Sequence, residues 1–114
     1  MALTAKEKAR LVVQAAKEKK GADIKVLEVG QVTLIAEYFV IISGLSKRQV
    51  QAITDFILEK MTGASLSPMH RAGYDEGLWV LLDYGDVVVH IFQPEERKFY
   101  NLERLWGHAP QVAI

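Results

Sequence analysis

Residues 79–106 read WVLLDYGDVVVHIFQPEERKFYNLERLW, and this segment predicts a tight hairpin that leads directly into a helix. Two apolar runs flank Gly85 and Asp86, a pair that suits a type II′ turn. With this turn, Tyr84 faces Val87, and the other cross-strand pairs follow by counting outward. The segment holds six of the ten aromatic residues of the chain, so the search for a functional surface starts here.

Each strand of the predicted hairpin has two unlike faces. The first face is uniformly aliphatic, as expected of a surface that packs under helices. Its members are Val80, Leu82, Val87, Val89 and Ile91. The second face mixes aromatic, imidazole and carboxylate side chains, and its cross-strand pairs are Trp79 with Phe92, Leu81 with His90, and Asp83 with Val88. We expect the second face to meet a partner; the alternative is that another layer of the same protein covers it.

Length and composition indicate one soluble domain. The chain has 114 residues, of which 50% are hydrophobic, enough for a modest core. We predict that the domain spans residues 1–106 and that residues 107–114 form a loosely held tail. There is no apolar run of about 18 residues and no apolar signal core near Met1, which predicts no membrane span. The absence of cysteine excludes disulfides and thiolate metal sites, and favours the cytoplasm.

The formal net charge is zero, but the charges are segregated along the chain. Residues 1–20 carry six basic and two acidic side chains, whereas residues 72–104 carry seven acidic and three basic ones. The acidic part coincides with the hairpin and the last helix. An acidic surface with aromatic side chains repels phosphates, so we expect a basic protein as the partner and little or no contact with nucleic acid. The alternative is an ordinary distribution of solvated charge.

The order of the predicted elements indicates the fold class. Residues 4–7 and 46–49 are capping boxes, and residues 38–42 are continuously apolar, as expected of a central strand. In chain order we predict a helix from Thr4 to about Lys20, strands at 23–29 and 38–42, a helix from Ser46 to about Met61, an edge strand near 69–72, the two hairpin strands, and a helix from Pro94 to Trp106.

This order, α-β-β-α-β-β-β-α, predicts an α+β domain with a mixed sheet of about five strands and helices mainly on one face. In the last helix, Phe99, Leu102 and Trp106 share one stripe. Trp106 is therefore either core or part of a contact surface.

Catalytic and metal chemistry find little support in the residue pattern. Asp83 and His90 lie diagonally on the second face and could orient an imidazole, but no nucleophile accompanies them. The alternative for this pair is a hydrogen bond that satisfies two half-buried groups. The three histidines lack the spacing of metal ligands.

The turn Ser43-Gly-Leu-Ser46 precedes a helix and could hold a phosphate, as in nucleotidyltransferases. That chemistry also needs paired carboxylates on a following strand to hold Mg²⁺, and the next acids, Asp55 and Glu59, fall within a predicted helix. A plain helix cap is favoured. A nucleotide-binding or nucleotidyltransferase-like enzyme is kept as the alternative function, and no cofactor is expected.

Three separated blocks of the sequence resemble one family. They are Asp23–Val29, Glu37–Val50, and the stretch from Glu76 to Trp106. In this order, and with DYGDVVVH followed by FYNLERLW, they closely resemble the ribosomal silencing factor family, also called Iojap or RsfS. The resemblance covers about residues 5–106. Glu28 and Glu37 stand where the family commonly has aspartate, and Leu45 stands where a smaller residue is common.

The resemblance implies a nucleotidyltransferase-like fold without the active site and a non-enzymatic binder of the large ribosomal subunit. Such a protein docks on the basic ribosomal protein L-fourteen, sterically blocks joining of the small subunit and lowers translation under nutrient limitation. A role in large-subunit biogenesis is a further expectation. An exposed apolar sheet face also makes a homodimer of the free protein plausible. We predict that the partner-binding residues are Trp79, Leu81, Asp83, Val88, His90 and Phe92, with Tyr100 and Glu103 on the rim.

Overall fold

The computed structural model describes residues 3–114. Its helices and strands follow the predicted order, except that a 3-10 helix lies between the first two strands, the last helix is divided in two, and a short strand is added at the end. In chain order they are α1 (Ala5–Glu18), β1 (Ala22–Leu27), a 3-10 helix (Val29–Gln31), β2 (Tyr38–Ser43), α2 (Lys47–Gly63), β3 (His70–Ala72), β4 (Trp79–Asp83), β5 (Val87–Phe92), α3 (Pro94–Tyr100), α4 (Leu102–Leu105) and β6 (Gln111–Val112).

The sheet is mixed and has six strands in the order β3-β4-β5-β2-β1-β6. β2 and β5 are parallel, and every other neighbouring pair is antiparallel. β2 therefore lies inside the sheet, as its continuous apolar sequence predicts, and residues 39–43 are all buried. The predicted α+β class and mixed sheet are confirmed, with one strand more than expected.

The helix starts follow from the caps. Thr4 Oγ1 accepts a hydrogen bond from the Glu7 N–H at 3.1 Å, and Glu7 Oε1 accepts one from the Thr4 N–H at 2.8 Å, so the first capping box is complete. At α2, Ser46 Oγ accepts from the Gln49 N–H at 3.1 Å, but the Gln49 side chain accepts from the Leu45 N–H instead of from Ser46. The second box is therefore only half formed.

The hairpin has the predicted register. Trp79 pairs with Phe92, Leu81 with His90, and Asp83 with Val88. Gly85 has a φ of +88°, while Asp86 does not have a positive φ, which agrees with a type II′ turn. The turn thereby sets which side chains face which side of the sheet.

The first face is the main core. All five of its predicted members are buried, together with apolar side chains of α1 and α2 that cover them. Helix α1 contributes Ala9, Val12 and Val13, and α2 contributes Ile53 and Ile57. Both long helices thus lie on one side of the sheet, as expected.

The second face is partly covered by the protein itself. A second buried cluster unites strand residues with residues of the segment before β2, of α4 and of the tail; its members are Leu27, Val29, Ala36, Phe39, Ile41, Phe92, Leu102 and Ala109. Trp79, Val88 and Trp106 pack against it while remaining half-exposed. The alternative of a covering layer is therefore correct for part of this face. Trp106 contributes to both the core and the surface.

The last helix differs from the prediction because it is broken at Asn101. Asn101 has φ 48° and ψ 58°, a left-handed conformation that asparagine tolerates better than most residues. After the break, the chain changes direction, so that Leu102 is buried and Phe99 is 81% exposed. The predicted common stripe of Phe99, Leu102 and Trp106 is wrong for this reason.

The predicted tail, residues 107–114, contains a short strand that pairs with β1. Val112 pairs with Val26 and Gln111 with Leu27, and the Glu28 N–H donates to the Pro110 oxygen at 2.8 Å. These bonds satisfy backbone groups on the outer edge of β1, which would otherwise be exposed. The sheet therefore includes residues past 106.

Candidate protein-binding surface

Trp79 is the centre of an aromatic group at the start of β4. Its ring stacks on Phe92 with a centroid distance of 4.9 Å and lies 4.6 Å from the ring of Tyr100. The indole N–H donates to Nδ1 of His90 at 3.1 Å. Trp79 is thus held by two rings and one hydrogen bond, which fixes the part of the ring that reaches the surface.

His90 is neutral and has a defined tautomer. It is only 4% exposed, and this burial lowers the pKa of the imidazole to about 4. Because an indole N–H can only donate, Nδ1 of His90 accepts, and the proton of the neutral ring is on Nε2. Nε2 has no hydrogen-bond partner among residues 3–114. The hydrogen bond considered between His90 and Asp83 is not formed.

Asp83 instead stabilises the hairpin turn. Its Oδ1 accepts from the Gly85 N–H at 2.8 Å, a common arrangement for an aspartate two residues before the donor. Leu81, Asp83 and Val88 are half-buried, so each leaves part of its surface open on the second face.

The exposed apolar side chains of this region form a contiguous surface, which we call the aromatic surface. Phe99 is 81% exposed and Leu105 is 71% exposed. The rings of Phe99 and Tyr100 meet edge to face at a centroid distance of 5.1 Å. The members of the aromatic surface are Leu78, Trp79, Phe99, Tyr100 and Leu105.

A shallow groove of about 360 Å³ runs into the aromatic surface. It is lined by Leu78, Trp79, Phe99 and Tyr100 together with the carboxylates of Glu76 and Glu96. Neither of these two glutamates is in an ion pair within residues 3–114. Aromatic anchors bordered by free carboxylates are suited to a protein surface with lysine or arginine side chains.

Arg97 and Glu103 hold the two sides of the helix break together. Nε and Nη2 of Arg97 each donate to Glu103 at 3.2 Å, and Nη1 donates to Ser43 Oγ at 2.9 Å. Nη2 also lies 3.7 Å from Asp23 Oδ2. The guanidinium is buried, and these partners satisfy it. This network anchors α3 to the ends of β1 and β2 and so places Phe99 and Tyr100.

The structure brings only part of the predicted binding set to the surface. Trp79, Leu81, Asp83, Val88 and Tyr100 are at least partly exposed. His90 and Phe92 are buried beneath them, because α4 and the segment before β2 complete a second core. In contrast to the prediction, these two residues do not reach the surface but contact Trp79 from below. Glu103 is largely engaged by Arg97, with its side chain 28% exposed.

Sequence reasoning missed Leu78, Phe99 and Leu105. An unbroken helix from Pro94 to Trp106 places Phe99 on one stripe with Leu102 and Trp106, and so does not identify it as a surface residue. The signal that could have found it is Asn101, since asparagine is a frequent residue at helix C-termini. A helix ending at Tyr100 puts Phe99 out of phase with Leu102.

The turn between β2 and α2 does not resemble a phosphate site. The Ser43 hydroxyl accepts from Arg97, and Ser46 caps α2. Asp55 lies on the exposed side of α2 and accepts from the Tyr74 hydroxyl at 2.9 Å. Residues 3–114 contain no group of three or more histidine or acidic side chains placed to hold a metal ion. No helix in the same range is long and apolar enough to cross a bilayer.

Comparison with known proteins shows the family of this chain. Residues 2–114 match the family described as "Ribosomal silencing factor during starvation" (RsfS). The chain is 43% identical over 101 residues to the ribosomal silencing factor RsfS of Bacillus subtilis, covering 89% of this chain and 86% of that protein. It is 31% identical to the mouse "Mitochondrial assembly of ribosomal large subunit protein 1", covering 84% of this chain and 43% of the mouse protein.

A solved structure is also similar. The crystal structure of a Chromobacterium violaceum protein superposes with a TM-score of 0.89 at 34% sequence identity and covers 92% of this chain and 88% of that chain. On the match across residues 2–114, the chain belongs to the ribosomal silencing factor family.

Proposed function

We propose that this protein is a translational repressor that binds the large ribosomal subunit through the basic ribosomal protein L-fourteen. Bound there, it sterically blocks joining of the small subunit and lowers translation under nutrient limitation. The observation that carries the proposal is the family match over residues 2–114. The protein acts in the cytoplasm and without catalysis.

The aromatic surface supports a protein as the direct partner. Interface energy is concentrated in a few buried aromatic or arginine anchors, and Trp79, Phe99 and Tyr100 are suitable anchors. Glu76 and Glu96 favour a basic protein and disfavour the phosphates of ribosomal RNA. His90 and Phe92 contribute by supporting Trp79 from below.

Blocking by steric exclusion requires only differential binding. The factor must bind free large subunits much more tightly than joined ribosomes, because a ligand shifts an equilibrium only by its difference in affinity for the two states. No bond is made or broken in this mechanism.

A second role in large-subunit biogenesis is suggested by the name of the mouse relative, which refers to assembly of the mitochondrial large subunit. A factor that occupies the subunit interface of a maturing large subunit would also keep it from joining prematurely. The same docking surface therefore serves both roles.

Co-sedimentation with separated ribosomal subunits tests the proposal. We expect the wild-type protein to follow the large subunit and to reduce the fraction of joined ribosomes when it is added before the small subunit. Changing Phe99→Ala together with Tyr100→Ala should weaken binding at least about tenfold, because each removes an exposed aromatic anchor. Phe56→Ala is the matched control, since Phe56 is a partly exposed aromatic residue on α2, on the other side of the sheet.

The possible outcomes test the function and the location of the docking site separately. If the wild-type protein does not follow the large subunit, the proposed function is wrong. If it does, but the double variant binds equally well, the function stands and the aromatic surface is not the docking site. Mg²⁺-dependent binding of a nucleotide would instead support the enzyme alternative. Analytical ultracentrifugation of the free protein tests the expected homodimer.

A further inference from the structure

A second exposed apolar group lies in the segment before β2, which we call the apolar loop and define as residues 29–37. Its two ends are joined, since the Gly30 N–H donates to the Glu37 oxygen at 3.0 Å. A Cβ atom on residue 30 would lie 2.9 Å from Glu37 Oε2, so the two ends are in close contact. The Glu37 N–H also donates to the Asp86 oxygen at 2.8 Å, which attaches the loop to the hairpin turn.

The apolar loop separates its side chains into two sets. Val29 and Ala36 point inward and are buried in the second cluster. Val32, Leu34 and Ile35 point outward: Leu34 is fully exposed and Ile35 is 67% exposed. The Ile35 N–H donates to Thr33 Oγ1 at 3.3 Å, and the Val32 and Thr33 N–H groups donate to the Val29 oxygen, so the backbone between the exposed residues is held by its own hydrogen bonds.

Single exposed aliphatic residues are normal on a protein surface, but three within four positions of a closed loop are not a scattered set. A loop whose ends are bonded to each other and to the hairpin presents them without a large loss of entropy on binding. This arrangement is suited to contact with an apolar patch on another molecule.

Acidic side chains border the apolar loop. Glu28 precedes the loop and Glu37 ends it, and both carboxylates lie near the Tyr38 phenol, where they add to the effect of burial in raising the phenol pKa. Within residues 3–114 neither glutamate is in an ion pair. The loop therefore has the same chemistry as the aromatic surface, with apolar side chains at the centre and carboxylates at the edge.

The apolar loop and the aromatic surface lie over the same cluster. Val29 and Ala36 of the loop, Leu102 of α4 and Phe92 of β5 all belong to the second cluster, with Trp79 packed against it. Both segments therefore cover the second face of the sheet, on the side away from α1 and α2. A partner that covers the second face can contact both.

We propose that the apolar loop is a second contact for the same basic large-subunit protein that the aromatic surface binds; this inference rests on the proposed function. A second copy of this chain fits less well. In a symmetric dimer the same patch meets itself, so the acidic border of one copy would face the acidic border of the other. A basic partner places lysine or arginine side chains against them instead.

The test is the full-length variant Leu34→Ser/Ile35→Ser, measured for affinity to purified large subunits and for self-association by sedimentation equilibrium. We expect the affinity for the subunit to fall about tenfold or more, because two anchors lose their apolar contact. The unfolding midpoint should not change, since both side chains are exposed in the free protein. Leu45→Ser is the matched control: Leu45 is 73% exposed but lies in the turn before α2, and binding should be unchanged.

A charge variant tests the choice of partner. Glu28→Gln/Glu37→Gln should weaken binding at low salt and have a smaller effect at high salt, because screening removes the attraction to basic side chains. If the serine variant binds large subunits as the wild type does, or if it loses only self-association, the inference is overturned while the proposed function stands. If the wild type and Leu45→Ser both fail to bind, the proposed function itself is overturned.

Discussion

The two faces of the central sheet differ in how they are covered and in how their polar groups are satisfied. The first face is aliphatic and lies under two long helices, with its apolar side chains buried together. The second face is covered by short pieces of chain and contains a histidine, a tryptophan and a carboxylate held by specific bonds. The first face can be repacked with other aliphatic residues, whereas the second depends on individual hydrogen-bond partners. The face built from specific bonds is also the face that leaves aromatic side chains exposed.

The largest expected effect tests whether the second face is core as well as surface. Phe92→Ala should lower the free energy of unfolding by about 3–5 kcal/mol, because the ring is fully buried in the second cluster. Urea unfolding measures this difference. Phe99→Ala is the matched control and should change stability by less than about 0.5 kcal/mol, since Phe99 is 81% exposed. Equal effects of the two changes would contradict the distinction between support and surface.

The second face should make the fold sensitive to acid. The His90 pKa is about 4 in the folded protein and 6.5 in the unfolded chain, so the unfolded chain binds more protons between these values. The stabilising contribution is therefore complete above about pH 6.5 and is lost as the pH falls toward 4, by roughly 3 kcal/mol.

Urea unfolding of the wild type and of His90→Phe across this pH range measures the effect. The variant should lose most of this pH dependence. His70→Gln, which changes an exposed histidine, should leave it intact. An unchanged pH profile in His90→Phe would rule out His90 as its source.

A smaller effect is expected from Glu103, which the sequence assigned to the rim of the binding surface. Glu103→Ala should lower the free energy of unfolding by about 2 kcal/mol, because it removes the main partner of the buried Arg97; this is less than for a fully buried pair, since Glu103 is partly exposed. Thermal unfolding tests this. The double change Arg97→Met/Glu103→Leu should regain much of the loss. A Glu103→Ala protein with wild-type stability and weaker subunit binding would restore the original assignment.

The smallest expected effect on stability concerns an ion pair between α1 and the hairpin turn. Lys8 of α1 and Asp86 of the hairpin turn form an ion pair at 3.1 Å, with side-chain exposures of 15% and 32%. Lys8→Ala should lower the free energy of unfolding by about 0.5 kcal/mol, and by less in high salt, because an ion pair that is only partly buried is still screened. Chemical denaturation at two salt concentrations measures it. A cost of several kcal/mol would mean that the orientation of α1 depends on this contact.

The hairpin could be predicted because its information is local. Gly85 and Asp86 specify the turn, and the alternation from Val80 to Ile91 specifies the faces, so register and first-face core follow without knowledge of the rest of the chain. The same holds for the Thr4 cap and for the central position of β2.

The burial of the second-face side chains could not be predicted in the same way, because it depends on segments that are distant in the sequence. By strand alternation, His90 and Phe92 lie on the face opposite the aliphatic core, where exposed side chains are expected. They are buried only because residues 29–36 and α4 fold back over that face. Trp79 and Asp83 are both diagonal neighbours of His90 in the pairing, and strand alternation does not tell which of them bonds it; in the structure Trp79 does, while Asp83 accepts from the Gly85 N–H. The two residues of β6 become a strand only because β1 offers an open edge.

The placement of the two tryptophans gives the protein an optical property. The chain has only Trp79 and Trp106, and both pack against the second cluster. Their ultraviolet emission therefore reports on the second face alone, while the side covered by α1 and α2 contains no indole. A partner that covers the second face removes water from both rings and should shift the emission to shorter wavelength, so that docking can be followed without a dye. The unmodified protein thus serves as its own fluorescent probe.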